Sequence, residues 1–583
     1  MKLLTIALDY DGTIAKDNRL DDRVRAAIGE LRAKNIVILI VTGRILEDLR
    51  RVAGDLHFVD GVVAENGAVV EFTASGYSKV MGSPPPARFL EALRAEGIAF
   101  KGGQSIVEAD ASDAPRLLAI LQRLELPLVL VFNRGRVMVL PQAISKATGL
   151  YEALKILRLS PHNALAIGDA ENDHELLRAC EIGVAVEWGS EALKAAADYI
   201  LPGDGPAAVA GYIQAFVTKQ NLPVPVKTRR KLLLGYTDDG RPLAFAVRGR
   251  NVLLVGDTKS GKSWVAGLLC EQLILYGYTL LVIDPEGDYT SLEALPGVMV
   301  LGGTDPLPRP RELLRSLRHA DVSVVIDLSH TPHQQKLEYV SNLLVGMAIL
   351  RRRTGLPHRI VIDEAHYFLH EQQGGNLLDL ELGGYTLITY RASQLDPHIL
   401  ESTEGIVVTR ESDPQEISAL RAICRFCRGN MSEREWAKMF EGLAVGEAVV
   451  LPLTAEAEGS VRRCRLVPRL TPHVRHLSKY IDIPVPERDQ FVFWRNGAPS
   501  GRWARTLREF VSVVEHSSAA ELGDHLRRND ISKWLANVFG DYPLAKTVRG
   551  LEDEYCAGKL PEVTSSLLDA IRSRYDCTDP AAV

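Results

Sequence analysis

Short runs of consecutive apolar residues alternate with stretches of helical periodicity from residue 3 to about 216, and again from about 250 to 455. The runs at 3–8, 36–41 and 251–255 have the length of strands buried on both faces. Such alternation predicts an α/β protein with two doubly wound parallel sheets, each covered by helices on both sides. Proline-rich junctions break the pattern twice. Pro223 and Pro225 precede a basic run, and a second junction near 471–490 carries Pro472, Pro484 and Pro486. The expected division is a first unit over 1–216, a linker over 217–230, a second unit over 231–480, and a mostly helical unit over 488–583. No internal repeat or low-complexity tract interrupts it.

Composition narrows this picture. A chain of 583 residues is too long for one core. Its formal charge of −6 argues against a wholesale nucleic-acid coat while leaving room for a local basic surface. Seven scattered cysteines, an odd number, fit a reducing cytoplasm better than a disulfide framework. The apolar N-terminal run is broken by Asp9 and Asp11, which argues against a signal peptide. No segment reaches the roughly 18–20 apolar residues that span a bilayer.

The first unit carries acids and phosphate-type donors at strand ends. The run 3–8 ends in Asp9-Tyr10-Asp11-Gly12-Thr13, so two carboxylates two residues apart fall where open α/β sheets bind ligands. Clustered carboxylates are costly without a cation, and hard oxygen ligands suit Mg²⁺. Ile38–Val41 leads into Thr42-Gly43-Arg44, a hydroxyl and a guanidinium suited to phosphate oxygens. Lys146 opens a helical stretch, and Ala164–Ile167 leads into Gly168-Asp169-Ala170-Glu171-Asn172-Asp173.

These four segments, with Glu65-Asn66-Gly67-Ala68, resemble the haloacid-dehalogenase superfamily, and most closely its Cof-like phosphatases with a large type-II cap. The resemblance implies that Asp9 attacks phosphorus and carries an aspartyl-phosphate. Asp11 would act as general acid and then as general base. Thr42 and Lys146 would hold the phosphoryl group, with Gly12, Thr13, Gly43 and Arg44 around it. Mg²⁺ would be bound by Asp9, Asp169 and the Asp11 carbonyl, with Asp173 in support. Residues from about 82 to 140 would form the cap, with Asn133 and Arg134 facing a small phosphomonoester substrate.

In the second unit Asn251–Val255 precedes Gly256-Asp257-Thr258-Lys259-Ser260-Gly261-Lys262-Ser263 and then a helical run. This is a phosphate loop in its strand–loop–helix setting, expected to cradle ATP. Lys262 would reach the β and γ phosphates and Ser263 would ligate Mg²⁺. Arg359–Ile362 ends in Asp363 and Glu364, expected to position Mg²⁺ and to polarise the attacking water respectively. With Leu281–Tyr289 (LVIDPEGDY), these segments resemble the HerA/FtsK superfamily, specifically HerA-like ATPases. The resemblance implies a homo-oligomeric ring, usually a hexamer, that pulls on double-stranded DNA and completes each site with a neighbour's arginine. Arg410 is the candidate. The chain departs from that pattern in three ways. Tyr390 stands in the usual glutamine slot, Lys259 stands where glycine is common, and a phosphatase-like unit replaces the β-barrel at the N-terminus.

Cys424 and Cys427 form a lone C-x-x-C, better explained as helix interior. The last hundred residues resemble a small uncharacterised helical domain, which implies an interaction or assembly role. Three readings follow. One is a bifunctional enzyme with separate phosphatase and ATPase sites. The second is a nucleic-acid end-processing or defence effector fed by a DNA translocase, and the third a nucleotide-gated scaffold with little turnover.

Overall fold

In the computed structural model, residues 2–133, 135–219, 229–246, 250–370, 377–424, 432–451, 461–472, 485, 487–495, 498–539, 542–560 and 562–572 are described. Arg134, Cys427 and most of the expected linker lie outside them.

The all-buried tetrapeptide Thr5–Leu8 (β1) is the centre of the first sheet. A two-residue hairpin follows at Ala15–Lys16 (β2) and Arg19–Leu20 (β3). Next come Val37–Val41 (β4), Gly61–Ala64 (β5), Val69–Phe72 (β6) and Ser78–Val80 (β7). Phe100–Gly102 (β8), Val107–Asp110 (β9), Leu128–Asn133 (β10) and Arg136–Pro141 (β11) make a separate antiparallel sheet. The chain then returns as Ala164–Gly168 (β12), Ile182–Val186 (β13) and Tyr199–Leu201 (β14). The main sheet runs β14-β13-β12-β1-β4-β5-β6-β7. It is parallel from β14 to β5 and closed by the antiparallel strands β6 and β7. Register decides what meets at its edge. Leu8 lies opposite both Ile167 and Ile40, so Asp9, Asp169 and Thr42 emerge side by side.

The small sheet, with helices Ala87–Ala95 and Ala114–Arg123, occupies the stretch expected to form a cap. Phe89, Leu93, Leu117, Ile120, Val137 and Val139 give it a core of its own.

The second sheet is assembled likewise. Lys231–Tyr236 (β15) and Pro242–Ala246 (β16) form a hairpin, followed by Val252–Val255 (β17), Leu280–Asp284 (β18), Val298–Gly302 (β19) and Ser323–Asp327 (β20). Arg359–Ile362 (β21), Tyr385–Thr389 (β22), Gly405–Val408 (β23), Glu447–Leu451 (β24) and Arg462–Leu466 (β25) complete it, in the order β16-β15-β25-β24-β23-β17-β22-β21-β18-β20-β19. Strands β23 to β19 are parallel, and β16, β15, β25 and β24 extend the sheet antiparallel. The expectation of a parallel sheet holds for this core. The antiparallel extension arises because tight turns, not helices, join β15 to β16 and β24 follows β23 from the opposite end.

Five helices between Leu507 and Arg572 pack with a hairpin of Phe491–Arg495 (β26) and Ala498–Ala504 (β27) around Phe491, Phe510, Leu526 and Trp534. The two larger units meet at a polar seam. The Tyr278 hydroxyl donates to Glu181 at 2.7 Å, and His162 bridges Glu181 and the Tyr276 carbonyl. Arg229 and Arg230 bond Asp198 and the backbone of 177–181, anchoring the end of the expected linker to the first unit. No helix among the described residues is long and apolar enough to cross a membrane.

Candidate functional site

At the first sheet's edge Asp9, Asp169 and Asp173 are all buried, with one carboxylate oxygen from each within 4.8 Å of the others. Lys146 Nζ donates to Asp9 and to Asp173, both at 2.6 Å. Thr13 Oγ1 lies 3.3 Å from Asp9 and from Asp169. Burial pushes the Asp9 carboxyl well above its ordinary range; Asp173 and Asp169 push the same way, against Lys146. Lys146 is pulled above the ordinary ammonium range by Asp173 and Asp9, against burial. Three crowded acids and one ammonium leave excess negative charge in a dry site. That donor set fits a hard divalent cation, and the ammonium fits a phosphoryl oxygen.

Local backbone places these groups. Glu65 and Asn66 have φ of 53° and 54°, and Gly67 has 105°. A Cβ at Gly67 would fall 1.9 Å from the Ser145 carbonyl, and Ser145 caps the helix Lys146–Leu157. Only glycine lets this turn sit under the helix that presents Lys146. The Glu65 carboxylate accepts from Gln104 N at 2.9 Å and Ser105 N at 3.0 Å, tying the core to the chain entering the cap. Gly67→Ala is therefore expected to cut kcat by about 10²-fold by displacing Lys146. Gly76→Ala has similar left-handed backbone strain (φ 66°) but nothing within 4 Å of its Cβ, and is expected to leave kcat unchanged. Steady-state kinetics of the two variants checks this.

Two side chains depart from the sequence reading. Arg44, expected among the phosphate-holding groups, forms a two-pronged ion pair with Asp11 at 2.6 Å for both contacts and also bonds Asn18. It reaches Asp11 because the 42–44 turn leaves β4 beside the 9–13 loop. Trp188, which no sequence pattern marked, donates its indole N–H to the Gly12 carbonyl at 2.6 Å. Thr42 is buried and accepts from Arg44 N at 3.2 Å. Met138 of the small sheet would stand 3.3 Å from a Cβ on Gly43, so that sheet lies against this edge of the core. Asn133 ends β10, half-buried.

The second edge repeats the logic. Val255 lies opposite Thr389 and Val408, which brings Gly256 beside Tyr390 and Thr409. A Cβ on Gly256 would meet Thr409 Oγ1 at 2.0 Å. Ser260 Oγ bonds the Asp257 carbonyl and Thr409 Oγ1, both at 2.6 Å, fixing the loop's curl. The helix Lys262–Leu275 starts at Gly261 (φ 102°) with no capping side chain and no acid in its first turn. The positive end of such a helix favours an anion. Lys262 Nζ folds onto the Gly256 and Asp257 carbonyls at 2.8 Å. Ser263 Oγ donates to Asp288 at 2.7 Å. Asp288 belongs to the LVIDPEGDY segment, whose loop is shaped by four backbone amides bonding Asp284. The sequence reading had the motif without this contact.

Asp363 and Glu364 follow β21, both buried, with Glu364 at φ 45°. His366 packs edge-on to Tyr390 and bonds Thr389 Oγ1 at 3.0 Å. Burial, reinforced by Arg391 and Lys262, lowers His366 to about 3, so it stays neutral. The Tyr390 ring lies 5.9 Å from Lys262 Nζ, which brings the residue in the glutamine slot to the loop lysine. Arg410 lies beside the phosphate loop of its own chain, its Nε 3.5 Å from Asp257 and its carbonyl accepting from Asp257 N. Thr258 and Lys259 line a cleft described below.

The family model of haloacid dehalogenase-like hydrolases matches residues 6–81 and 105–213. That of the central domain of helicase HerA matches 246–376. The chain is 30% identical over 220 residues to a phosphoglycolate phosphatase of Archaeoglobus fulgidus, covering 35% of this chain and 93% of the relative. It is 27% identical over 239 residues to a phosphoglycolate phosphatase of Methanosarcina acetivorans, covering 37% and 98%. A solved haloacid dehalogenase-like hydrolase from Bacteroides thetaiotaomicron shares 19% identity over 37% of this chain and 100% of its own, with a TM-score of 0.33. With its acids, lysine and threonine gathered at one sheet edge, the chain belongs to the haloacid dehalogenase-like hydrolases, a hydrolase fused to a HerA-type central domain.

Proposed function

We propose that the chain joins a cation-dependent phosphatase for small phosphomonoesters to an ATP-hydrolysing unit. The observation that carries the first half is the buried set of Asp9, Asp169, Asp173 and Lys146. Asp9 attacks phosphorus through a carboxylate oxygen. The P–O bond to the alcohol breaks, and Asp11 gives its proton to the leaving oxygen. Asp11 then takes a proton from water as the water attacks the aspartyl-phosphate, which releases orthophosphate and restores Asp9. Lys146 and Thr42 hold the phosphoryl oxygens throughout. A divalent cation, held by Asp9 and Asp169 with Asp173 behind them, would supply charge neutralisation. For Asp11 to serve, Arg44 has to exchange its ion pair for the substrate, which couples substrate arrival to release of the acid. A cap formed by the small sheet supports a small substrate. The named activity of the two archaeal relatives makes phosphoglycolate the first compound to assay.

The second half rests on the uncapped helix N-terminus beneath Gly256–Ser263. Lys262 would turn from the loop carbonyls to the β and γ phosphates, and Ser263 and Asp363 would hold the cation of Mg-ATP. Glu364 would orient water, and Arg410 would act within its own chain. The helicase-type match supports assembly into a ring on double-stranded DNA. The test is phosphate release from phosphoglycolate and from ATP, with EDTA and with added duplex DNA. EDTA is expected to abolish both activities and DNA to raise the second. ATP turnover indifferent to DNA sinks the translocase reading, and no turnover of either compound sinks both halves.

A further inference from the structure

A cleft of about 680 Å³ lies between the phosphate loop and the C-terminal helical unit. That is within the usual size of a small-molecule site. Thr258, Lys259 and Arg410 line one wall, and Arg488, Arg505 and Asn537 line the other. The loop wall is its phosphate end, since Tyr390, which also borders the cleft, lies against Lys262.

One contact joins the two walls, and local structure shapes the second of them. Lys259 has φ 62°, a conformation that favours glycine and that a lysine holds only under restraint. Its ammonium reaches across to the Val538 carbonyl, 279 residues on. Asn537 and Val538 belong to a turn of π-helix, Leu535–Phe539, a rare distortion that is frequent at functional sites. Arg505 Nε donates to the Val485 carbonyl at 2.9 Å and its own carbonyl accepts from Val485 N, which fixes Val485 against β27. The charges in the cleft also have a direction. Asp257 is engaged by Ser412 and Arg410, Asp413 caps the helix Pro414–Ile423, and burial beside Asp257 pushes Glu411 up to about 9. Asp257, Glu411 and Asp413 are thereby tied up or neutral, which leaves Glu487 and Asp489 beside Arg488 on the other wall. Arg488, its side chain 76% exposed, pairs with Asp489 at 3.5 Å, an exposed contact it can exchange for a stronger anion.

We propose that the C-terminal helical unit is a cover for the nucleotide site of its own chain, and that Arg488, supported by Asn537, binds the terminal phosphate of a nucleoside triphosphate held on the phosphate loop. This rests on the ATP reading above and extends it. The last hundred residues then sense the difference between triphosphate and diphosphate. Loss of the terminal phosphate removes the anion that holds cover to loop.

The test uses the full chain with Asp9→Asn, so that the phosphatase does not consume the probes, and measures affinities for ATPγS and ADP by calorimetry. Arg488→Ala is expected to weaken ATPγS about tenfold while changing ADP less than about twofold. Arg488→Lys is expected to fall between. An equal loss for both probes, or no loss for either, overturns the proposal. Lys262→Ala in parallel separates the two levels. If it weakens both probes while Arg488→Ala weakens neither, ATP binding stands and the cover is inert. If the Asp9→Asn parent binds neither probe, the ATP reading itself fails. Unchanged melting temperatures show that each variant folds.

Discussion

Asp9→Asn is expected to lose at least about 10⁴-fold in phosphomonoester hydrolysis, the scale on which removal of a covalent nucleophile registers. The substitution preserves shape, so the strand register that sets Asp9 beside Asp169 and Thr42 survives. It removes the carboxylate oxygen proposed to attack phosphorus. In the folded protein the Asp9 carboxylate is disfavoured by burial and by Asp173 and Asp169, with Lys146 opposing. Exchange for a neutral amide therefore leaves the melting temperature close to that of the parent. Lost activity with retained melting temperature is the signature. Residual turnover above about 1% means that another group takes the phosphoryl, which contradicts the covalent route.

Lys262→Ala is expected to reduce ATP turnover by about 10²- to 10³-fold, the scale for loss of one charge-stabilising donor at a transition state. The phosphatase is expected to keep its rate within about twofold. Each site is built on its own sheet, and the seam between the units lies at Tyr278, His162 and Glu181, away from both loops. A parallel loss of phosphatase activity in this variant contradicts two independent sites and points to coupling through that seam. Activity assays with phosphoglycolate and with ATP on the same preparations decide it.

The parts of both sites carried by consecutive residues at strand ends were legible in the sequence. Asp9, Thr42, Asp169, Gly256–Ser263 and Asp363 follow apolar runs, and parallel register then aligns them. What the sequence did not carry is pairing between distant side chains. Arg44 turns to Asp11 because two loops leave neighbouring strands together, and its rotamer is set by that proximity. Trp188 reaches Gly12 across 176 residues, and Ser263 meets Asp288 in a loop shaped by amides on Asp284. The strands Glu447–Leu451 and Arg462–Leu466 lengthen the second sheet antiparallel, a direction that apolar periodicity does not encode. Lys259 is the clearest case. In sequence it is a departure in the phosphate loop; in the fold it is the residue that crosses to the C-terminal unit.

The most direct test of two hydrolytic sites on one chain is a four-way measurement of phosphate release. Phosphoglycolate and ATP are each offered, with magnesium, to wild type, Asp9→Asn, Lys262→Ala and the double variant. The expected result is a crossed pattern: Asp9→Asn loses only phosphoglycolate turnover, Lys262→Ala loses only ATP turnover, and the double variant loses both. ATP turnover that disappears with Asp9 and survives loss of Lys262 contradicts the account, because the phosphatase would then be the only hydrolytic centre.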